Sequence, residues 1–113
     1  MKTYNLDNKK FALLENSDNG EVDSTTIFEY KQKENLVTAK YYGGTIKYGK
    51  IIAHIKDDEL DMLYQCSTTE NELKAGKALA KISTTEQGKI KLSLNWEWLN
   101  GNDDKGKSEY IEI

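Results

Sequence analysis

The chain of 113 residues contains no proline, a single histidine and a single cysteine. Because Cys66 has no second cysteine to pair with, an internal disulfide is excluded, which favours a reducing cytoplasm as its location. The absence of proline is typical of a small sheet protein with uninterrupted ladders. The first ten residues lack the apolar core of a signal peptide. No apolar run approaches transmembrane length, so we expect no membrane partner.

The charge of the chain also limits its partners. Sixteen basic and 19 acidic residues give a net charge of −3. The lysines are scattered along the chain and most have an acidic neighbour. A nucleic-acid-binding protein gathers its basic residues into a stripe, so we expect no nucleic-acid partner.

Aromatic residues are plentiful in this chain. Seven Tyr, two Trp and two Phe favour strands over helices. Hydrophobic residues make up 37% and charged residues 31%, which is ordinary for a globular protein with a solvated surface. The length suits one hydrophobic core. We therefore predict a single domain over residues 1–113, with residues 1–9 frayed.

The clearest pattern lies in residues 89–99, where every second residue is apolar. These positions are Ile90, Leu92, Leu94, Trp96 and Trp98. A period of two predicts a strand with one buried face and one solvated face. Burying the five side chains contributes on the order of 10 kcal/mol gross, so the fold should close over this face.

Short turn signals divide the preceding chain into hairpins. Two-residue loops at Glu34-Asn35 and at Asp57-Asp58 join segments whose apolar faces match, with Phe28 opposite Tyr41 in the first hairpin. The same counting places His54 outward, opposite Asp61.

The glycine pair Gly43-Gly44 predicts a further hairpin. This turn would place Tyr41 opposite Ile46 and would point Tyr48 into the interior. The apolar parity changes after Tyr48, which predicts a β-bulge at Gly49.

Residues 70–81 fit two descriptions. Their Glu, Leu, Lys and Ala content and the capping-box pattern of Thr69 to Glu72 favour a helix. Read as a strand, the segment places Gly76 opposite Trp96 and Cys66, with small residues facing large ones as a curved interior requires. We prefer the strand because it is consistent with the rest of the chain.

Eight strands then follow one another through short turns. The predicted fold is all-β, a single eight-stranded antiparallel up-and-down barrel of the calycin-like kind. A barrel of eight strands can be filled by side chains or can hold one small ligand.

The chain resembles the calycin-like small barrels, which include lipocalins, fatty-acid-binding proteins and avidins. More closely, it resembles a set of short uncharacterised bacterial proteins that often carry the label N-acetylglutamate synthase. The motifs that carry this resemblance are Asn16-Ser17, Asn19-Gly20-Glu21, Thr26 to Tyr30, Gly43-Gly44, Gly49, Asp61-Met62, Tyr64, Gly76 and Trp96-Glu97-Trp98. The resemblance implies a barrel over nearly the whole chain. The chain lacks the glycine-rich pyrophosphate loop of acetyltransferases.

One end of the predicted barrel gathers aromatic side chains with polar tips around a glycine. Such a set supplies the apolar walls and directional groups of a ligand site. The candidate ligand-binding residues are Tyr41, Tyr48, Tyr64, Cys66, Gly76, Trp96 and Trp98. The same side chains would also serve as a dry, filled core, so both interpretations stand.

A second candidate surface lies on the outside of the barrel. Ile52, Leu63 and Leu79 are predicted to line up across three neighbouring strands, and a contiguous apolar row often marks an interface. This row predicts a possible homodimer.

Residues that could carry other chemistry do not cluster. We assign no catalytic residue, no metal ligand and no cofactor. The loop Asn100 to Gly106 lacks the glycine at position six and the terminal glutamate of the twelve-residue calcium loop, so we expect a solvated hairpin loop.

Three functional hypotheses follow. The first is a non-enzymatic binder of a small, partly apolar ligand at the aromatic end of the barrel. The second is an interaction module that uses the outer apolar row and has a filled interior. The third is an enzyme with tyrosines as acid or base groups, which is the weakest because no base with a partner can be named.

Overall fold

The computed structural model describes residues 4–16, 25–99 and 105–113, with Glu15 and Asn16 described by their backbone alone. Eight antiparallel strands pair in sequence order and close into a barrel, because the last strand pairs with the first. The all-β, eight-stranded antiparallel barrel predicted from the sequence is confirmed. The strands are Lys9–Asn16 (β1), Ile27–Lys33 (β2), Leu36–Gly43 (β3), Ile46–Lys56 (β4), Glu59–Thr68 (β5), Leu73–Thr84 (β6), Ile90–Trp98 (β7) and Lys105–Glu112 (β8).

Strand β7 shows why the chain forms a barrel. Its apolar residues from Ile90 to Trp96 are buried, and Trp98 packs against the same core. The residues between them face outward and are exposed or half-buried. Successive side chains of a strand point to opposite faces, so this alternation commits one face of β7 to the interior.

Two predicted hairpins occur in the expected register. The turn between β2 and β3 is Glu34-Asn35, and Phe28 pairs with Tyr41. The turn between β4 and β5 is Asp57-Asp58. Glu34 and Asp57 both have positive φ, at 56° and 55°, as tight two-residue hairpin turns require.

The hairpin between β3 and β4 differs from the prediction. Its turn is Gly44-Thr45, so Gly43 pairs with Ile46 and Tyr41 pairs with Gly49. The ladder shifts between Ile46 and Tyr48, so the bulge precedes Gly49 instead of lying on it. As a result the prediction that Tyr48 points inward is wrong: this side chain is outward and 51% exposed.

Strand β6 occupies the segment that also fitted a helix. The hydroxyl of Thr68 accepts hydrogen bonds from the backbone N–H groups of Glu70 and Glu72, at 3.3 and 3.1 Å. These residues therefore form a capped turn between two strands instead of the first turn of a helix. The apolar interior of the barrel outweighs the helix propensity of the Glu, Leu, Lys and Ala residues that follow.

Both ladders of β6 are shifted by two residues from the prediction. Gly76 pairs with Tyr64 on β5 and with Trp98 on β7, and not with Cys66 and Trp96. The turn before β6 is centred one residue earlier than we expected and the turn after it one residue later, which causes the shift. Because the shift is even, each side chain keeps its predicted face.

The barrel has two ends, which we name by their connections. The lower end carries the turns at 34–35, 57–58 and 85–89, and the upper end carries those at 44–45 and 69–72. The predicted turn cluster beyond Asn16 and the predicted loop before Lys105 lie outside the described residues. In the described parts of the chain there is no helix that could cross a membrane.

The segment before β1 differs from the predicted frayed end. Among the described residues of this segment, Leu6 is fully buried and Tyr4 packs against the core. The N–H of Asn8 donates to the carbonyl of Tyr30 at 3.0 Å. The segment is therefore anchored to the lower end of the barrel.

Candidate ligand-binding site

The upper end of the interior brings together most of the predicted site residues. Tyr41 on β3, Tyr64 and Cys66 on β5, and Trp96 and Trp98 on β7 occupy inward positions. Tyr41, Cys66 and Trp96 are buried, and Tyr64 and Trp98 are half-buried. The alternation along each strand therefore placed these five side chains correctly.

Two tyrosines at this end lie on glycines of the neighbouring strand. A Cβ atom at Gly49 would stand 2.3 Å from the ring of Tyr41. A Cβ atom at Gly76 would stand 2.5 Å from the ring of Tyr64. Neither distance is possible for a real side chain, so both positions require glycine. The space that we predicted at Gly76 is filled by the ring of Tyr64.

Each of these tyrosines also bridges three strands. The hydroxyl of Tyr41 passes over β4 and donates to the carbonyl of Gln65 on β5 at 3.3 Å. The hydroxyl of Tyr64 passes over β6 and donates to the carbonyl of Glu97 on β7 at 3.4 Å. Both bonds are longer than the usual 2.7–2.8 Å for a hydroxyl donor. They are weak enough for a ligand oxygen or nitrogen to replace them.

The indole of Trp96 is held more firmly. Its Nε1–H donates to the hydroxyl of Ser108 on β8 at 2.7 Å, and both residues are buried. Ser108 is one of few buried polar residues among those described, and this bond explains its presence in the core. The sequence pattern of β8 gave no signal for this partner.

The phenols of the interior stay protonated. Burial is the main cause that raises the pKa of Tyr41 and of Tyr64 above the usual range of a phenol. Burial likewise raises the pKa of Tyr110 to about 12. At neutral pH these groups are hydrogen-bond donors and acceptors, and a low-dielectric interior disfavours their use as bases.

The aromatic rings at the upper end form two clusters. Phe28 stacks on Tyr41 with ring centres 4.9 Å apart. On β5 and β7, Tyr64 meets Trp98 edge-on at 5.3 Å, and Trp96 lies 6.1 Å from Trp98. Offset and edge-on arrangements of this kind give flat apolar walls with polar tips.

A lysine stands beside these rings. Lys74 lies on the inward face of β6, and its Nζ is 5.6 Å from the ring centre of Trp98. The alternation along β6 could have predicted this inward position, because Lys74 lies two residues before Gly76 and four before Ala78. An ammonium group over an indole ring is a favourable cation–π contact.

These features describe a small barrel with an aromatic upper end. A family model described as avidin-like protein matches residues 4–113. The chain belongs to the avidin-like protein family. No curated protein and no solved structure matches the chain significantly. The avidin-like assignment agrees with the calycin-like resemblance seen in the sequence.

The outer face of the avidin-like barrel carries the second predicted surface. Ile52 pairs with Leu63, and these side chains are 60% and 61% exposed. Leu79 is also exposed, but it pairs with Asp61 and is therefore offset by two residues from Leu63. The predicted straight row is thus a diagonal, since Leu79 remains a diagonal neighbour of Leu63.

A groove lies on the same outer face near the upper end of the avidin-like barrel. Its volume is about 550 Å³. The residues that line it are Tyr48, Lys50, Gln65, Cys66, Ser67, Leu73, Lys74 and Ala75, so the groove reaches from the outer face to the inward residues Cys66 and Lys74. Tyr48 contributes to the outer part of this groove, and does not point into the interior as the sequence predicted.

The remaining reactive residues stay apart in the avidin-like barrel. His54 faces outward opposite Asp61, as predicted. Within the described ranges, no three His, Cys, Asp or Glu side chains come close enough to hold a metal ion. Cys66 is buried, forms no disulfide and shares a hydrogen bond with the side chain of Tyr41.

Proposed function

We propose that the protein is a non-enzymatic binder of a small, partly apolar ligand at the upper end of the barrel. The observation that carries this proposal is the convergence of Tyr41, Tyr64, Trp96 and Trp98 at one end of the interior. The hydroxyls of Tyr41 and Tyr64 make long hydrogen bonds to backbone carbonyls, at 3.3 and 3.4 Å. Membership of the avidin-like family, a family of small-molecule-binding barrels, supports the same function.

The chemistry of the walls favours a particular ligand. Flat rings bury apolar area, and the phenols and the thiol of Cys66 offer weak directional contacts. The ammonium group of Lys74 already lies beside the indole face of Trp98, and it would repel a second positive charge there. We therefore infer a neutral planar ligand as the preferred class.

The raised phenol pKa values bear on the enzymatic alternative. A tyrosine acts as a general base only when its pKa approaches the working pH. Burial raises the pKa of Tyr41 and of Tyr64, which moves both values further from neutral pH. These residues are therefore better suited to holding a ligand than to removing a proton.

A matched pair of variants tests the binding proposal. We expect N-phenyl-1-naphthylamine, a neutral planar probe, to bind and to change tryptophan fluorescence. Trp98→Ala should weaken the affinity about tenfold, since the loss of a ring contact costs roughly 1.4 kcal/mol. Tyr48→Ala removes an aromatic ring from the outer face at the same end and should leave the affinity unchanged.

Two results would contradict this function. If neither this probe nor a broad panel of small molecules raises the melting temperature, the interior is a filled core. If Tyr48→Ala weakens binding and Trp98→Ala does not, the ligand occupies the outer groove instead. Gly76→Leu is unsuitable as a probe of the site, because Tyr64 already fills the space beside this glycine.

We further propose that the outer face of β4 to β6 pairs with a second copy of the chain. Ile52 and Leu63 form an apolar ridge directly below the groove that Tyr48 and Leu73 line. A two-fold interface must be complementary to itself. A ridge and a groove on one face meet this requirement, because each copy can place its ridge in the groove of the other.

A further inference from the structure

The short segment that precedes β1 inserts one side chain into the lower end of the barrel. Asn5 and Asn8 are exposed, whereas Leu6 between them is 0% exposed. Leu6 belongs to the same buried cluster as the interior side chains. The segment thus closes the lower end from outside the sheet.

A reciprocal pair of hydrogen bonds holds this segment to β2. The N–H of Leu6 donates to Oε1 of Gln32 at 2.9 Å, and the N–H of Gln32 donates to Oδ1 of Asp7 at 2.9 Å. We call this pair the latch. It consists of side chain to backbone bonds, so one substitution can break half of it without altering any strand ladder.

The space that Leu6 fills is lined by apolar groups. The inward residues in the lower half of the barrel include Phe11, Val37, Leu60 and Leu92, and all four are fully buried. If the side chain of Leu6 moved out of the barrel, an apolar space would remain, which we call the socket. Apolar cavities of this kind stay dry and accept hydrocarbons, since water finds no hydrogen-bond partner there.

We propose that residues 4–8 are a detachable stopper and that the socket under Leu6 is a second binding site, selective for a small hydrocarbon group. The stopper has one buried leucine, one half-buried tyrosine and a few hydrogen bonds, whereas the barrel has eight strand ladders. Segments with few buried contacts open without global unfolding. A hydrocarbon and Leu6 compete for the socket, so the apparent affinity depends on how often the stopper is open. This proposal is independent of the proposed upper-end site.

Benzene is a suitable probe, and the latch provides the decisive variant. Asp7→Ala breaks one of the two bonds of the latch and leaves the socket intact, so we expect it to bind benzene at least about tenfold more tightly than the parent protein. Binding is measured by chemical-shift changes of the interior methyl groups. Asp61→Ala removes a carboxylate from the outer face of β5 and should match the parent.

Leu6→Ala provides a second measurement. This variant removes the competing side chain and should bind benzene most tightly. Equal affinities of Asp7→Ala and the parent would overturn the proposal, as would a folded Leu6→Ala variant that binds no benzene. If Leu6→Ala does not fold, Asp7→Ala decides the matter. Loss of benzene binding in Trp98→Ala would also overturn the proposal, because benzene would then occupy the upper end.

Discussion

At the scale of single residues, the upper end depends on two tyrosines that lie against glycines. The rings of Tyr41 and Tyr64 cover Gly49 and Gly76, so these tyrosines lie along the barrel wall. A ring that covers a glycine replaces the side chain that the glycine lacks and shields the backbone of a central strand. The two members of each pair are therefore coupled, so that changing one alters the cost of changing the other.

Gly49→Ala tests this coupling. We expect the substitution to lower the free energy of unfolding by about 1–3 kcal/mol, because the new methyl group would overlap the ring of Tyr41. In a Tyr41→Leu background the same substitution should cost nothing, and it can stabilise by up to about 1 kcal/mol since glycine disfavours strands. Urea unfolding of the four proteins of this cycle measures the coupling. An equal cost in both backgrounds would show that the ring does not constrain Gly49.

At the scale of elements, β8 closes the barrel between β7 and β1. The carboxylate of Glu112 accepts a hydrogen bond from the N–H of Ile90 on β7 at 2.9 Å. The same carboxylate meets the ammonium of Lys9 on β1 at 3.1 Å. The hydrogen bond from the N–H of Ile90 is the largest cause, and Lys9 a smaller one, that holds the pKa of Glu112 below its usual range. One side chain thus joins three strands at the lower end.

Glu112→Gln tests this junction. A lowered folded-state pKa means that the charged carboxylate stabilises the folded state above the usual carboxyl pKa. That stabilisation is lost as the pH falls through the lowered value. We expect Glu112→Gln to cost about 1 kcal/mol at pH 7, the difference between a charged and a neutral hydrogen bond. In strong acid the two proteins should unfold alike. Glu86→Gln, in an exposed turn, is the control and should have the stability of the parent. If the stability deficit of Glu112→Gln stays the same at low pH, this account is contradicted.

At the scale of the whole molecule, the outer face of β4 to β6 decides whether the barrel acts alone. Tyr48, Ile52, Leu63, Leu73 and Leu79 are each at least half exposed on this face. A contiguous apolar face of this kind commonly marks an interface.

Leu63→Lys tests self-association. We expect the parent protein to sediment as a dimer at high micromolar concentration, and Leu63→Lys as a monomer with an unchanged circular dichroism spectrum. The charged group would be buried without a partner in the interface, which is strongly unfavourable. Leu14→Lys makes the same change on β1, outside this face, and should remain dimeric. A monomeric parent would end the dimer proposal.

The sequence by itself determined which residues face the interior for most of the barrel. Alternation in β2, β3, β5 and β7 is a local property, because successive side chains of a strand point to opposite sides whatever they pair with. The two-residue turns at Glu34-Asn35 and Asp57-Asp58 determined two registers for a similar reason, since a tight turn leaves one way to align the flanking residues.

The tertiary structure decided the rest. The pairing of Gly76 with Tyr64 and Trp98 depends on longer connections, whose length does not specify a register. The ring of Tyr41 requires Gly49 at the inward position opposite it. Tyr48, the residue before Gly49, therefore points outward. Leu6 is buried because the closed sheet leaves an apolar opening at its lower end. Each of these features requires contact between residues distant in sequence, and alternation along one strand carries no information about such contacts.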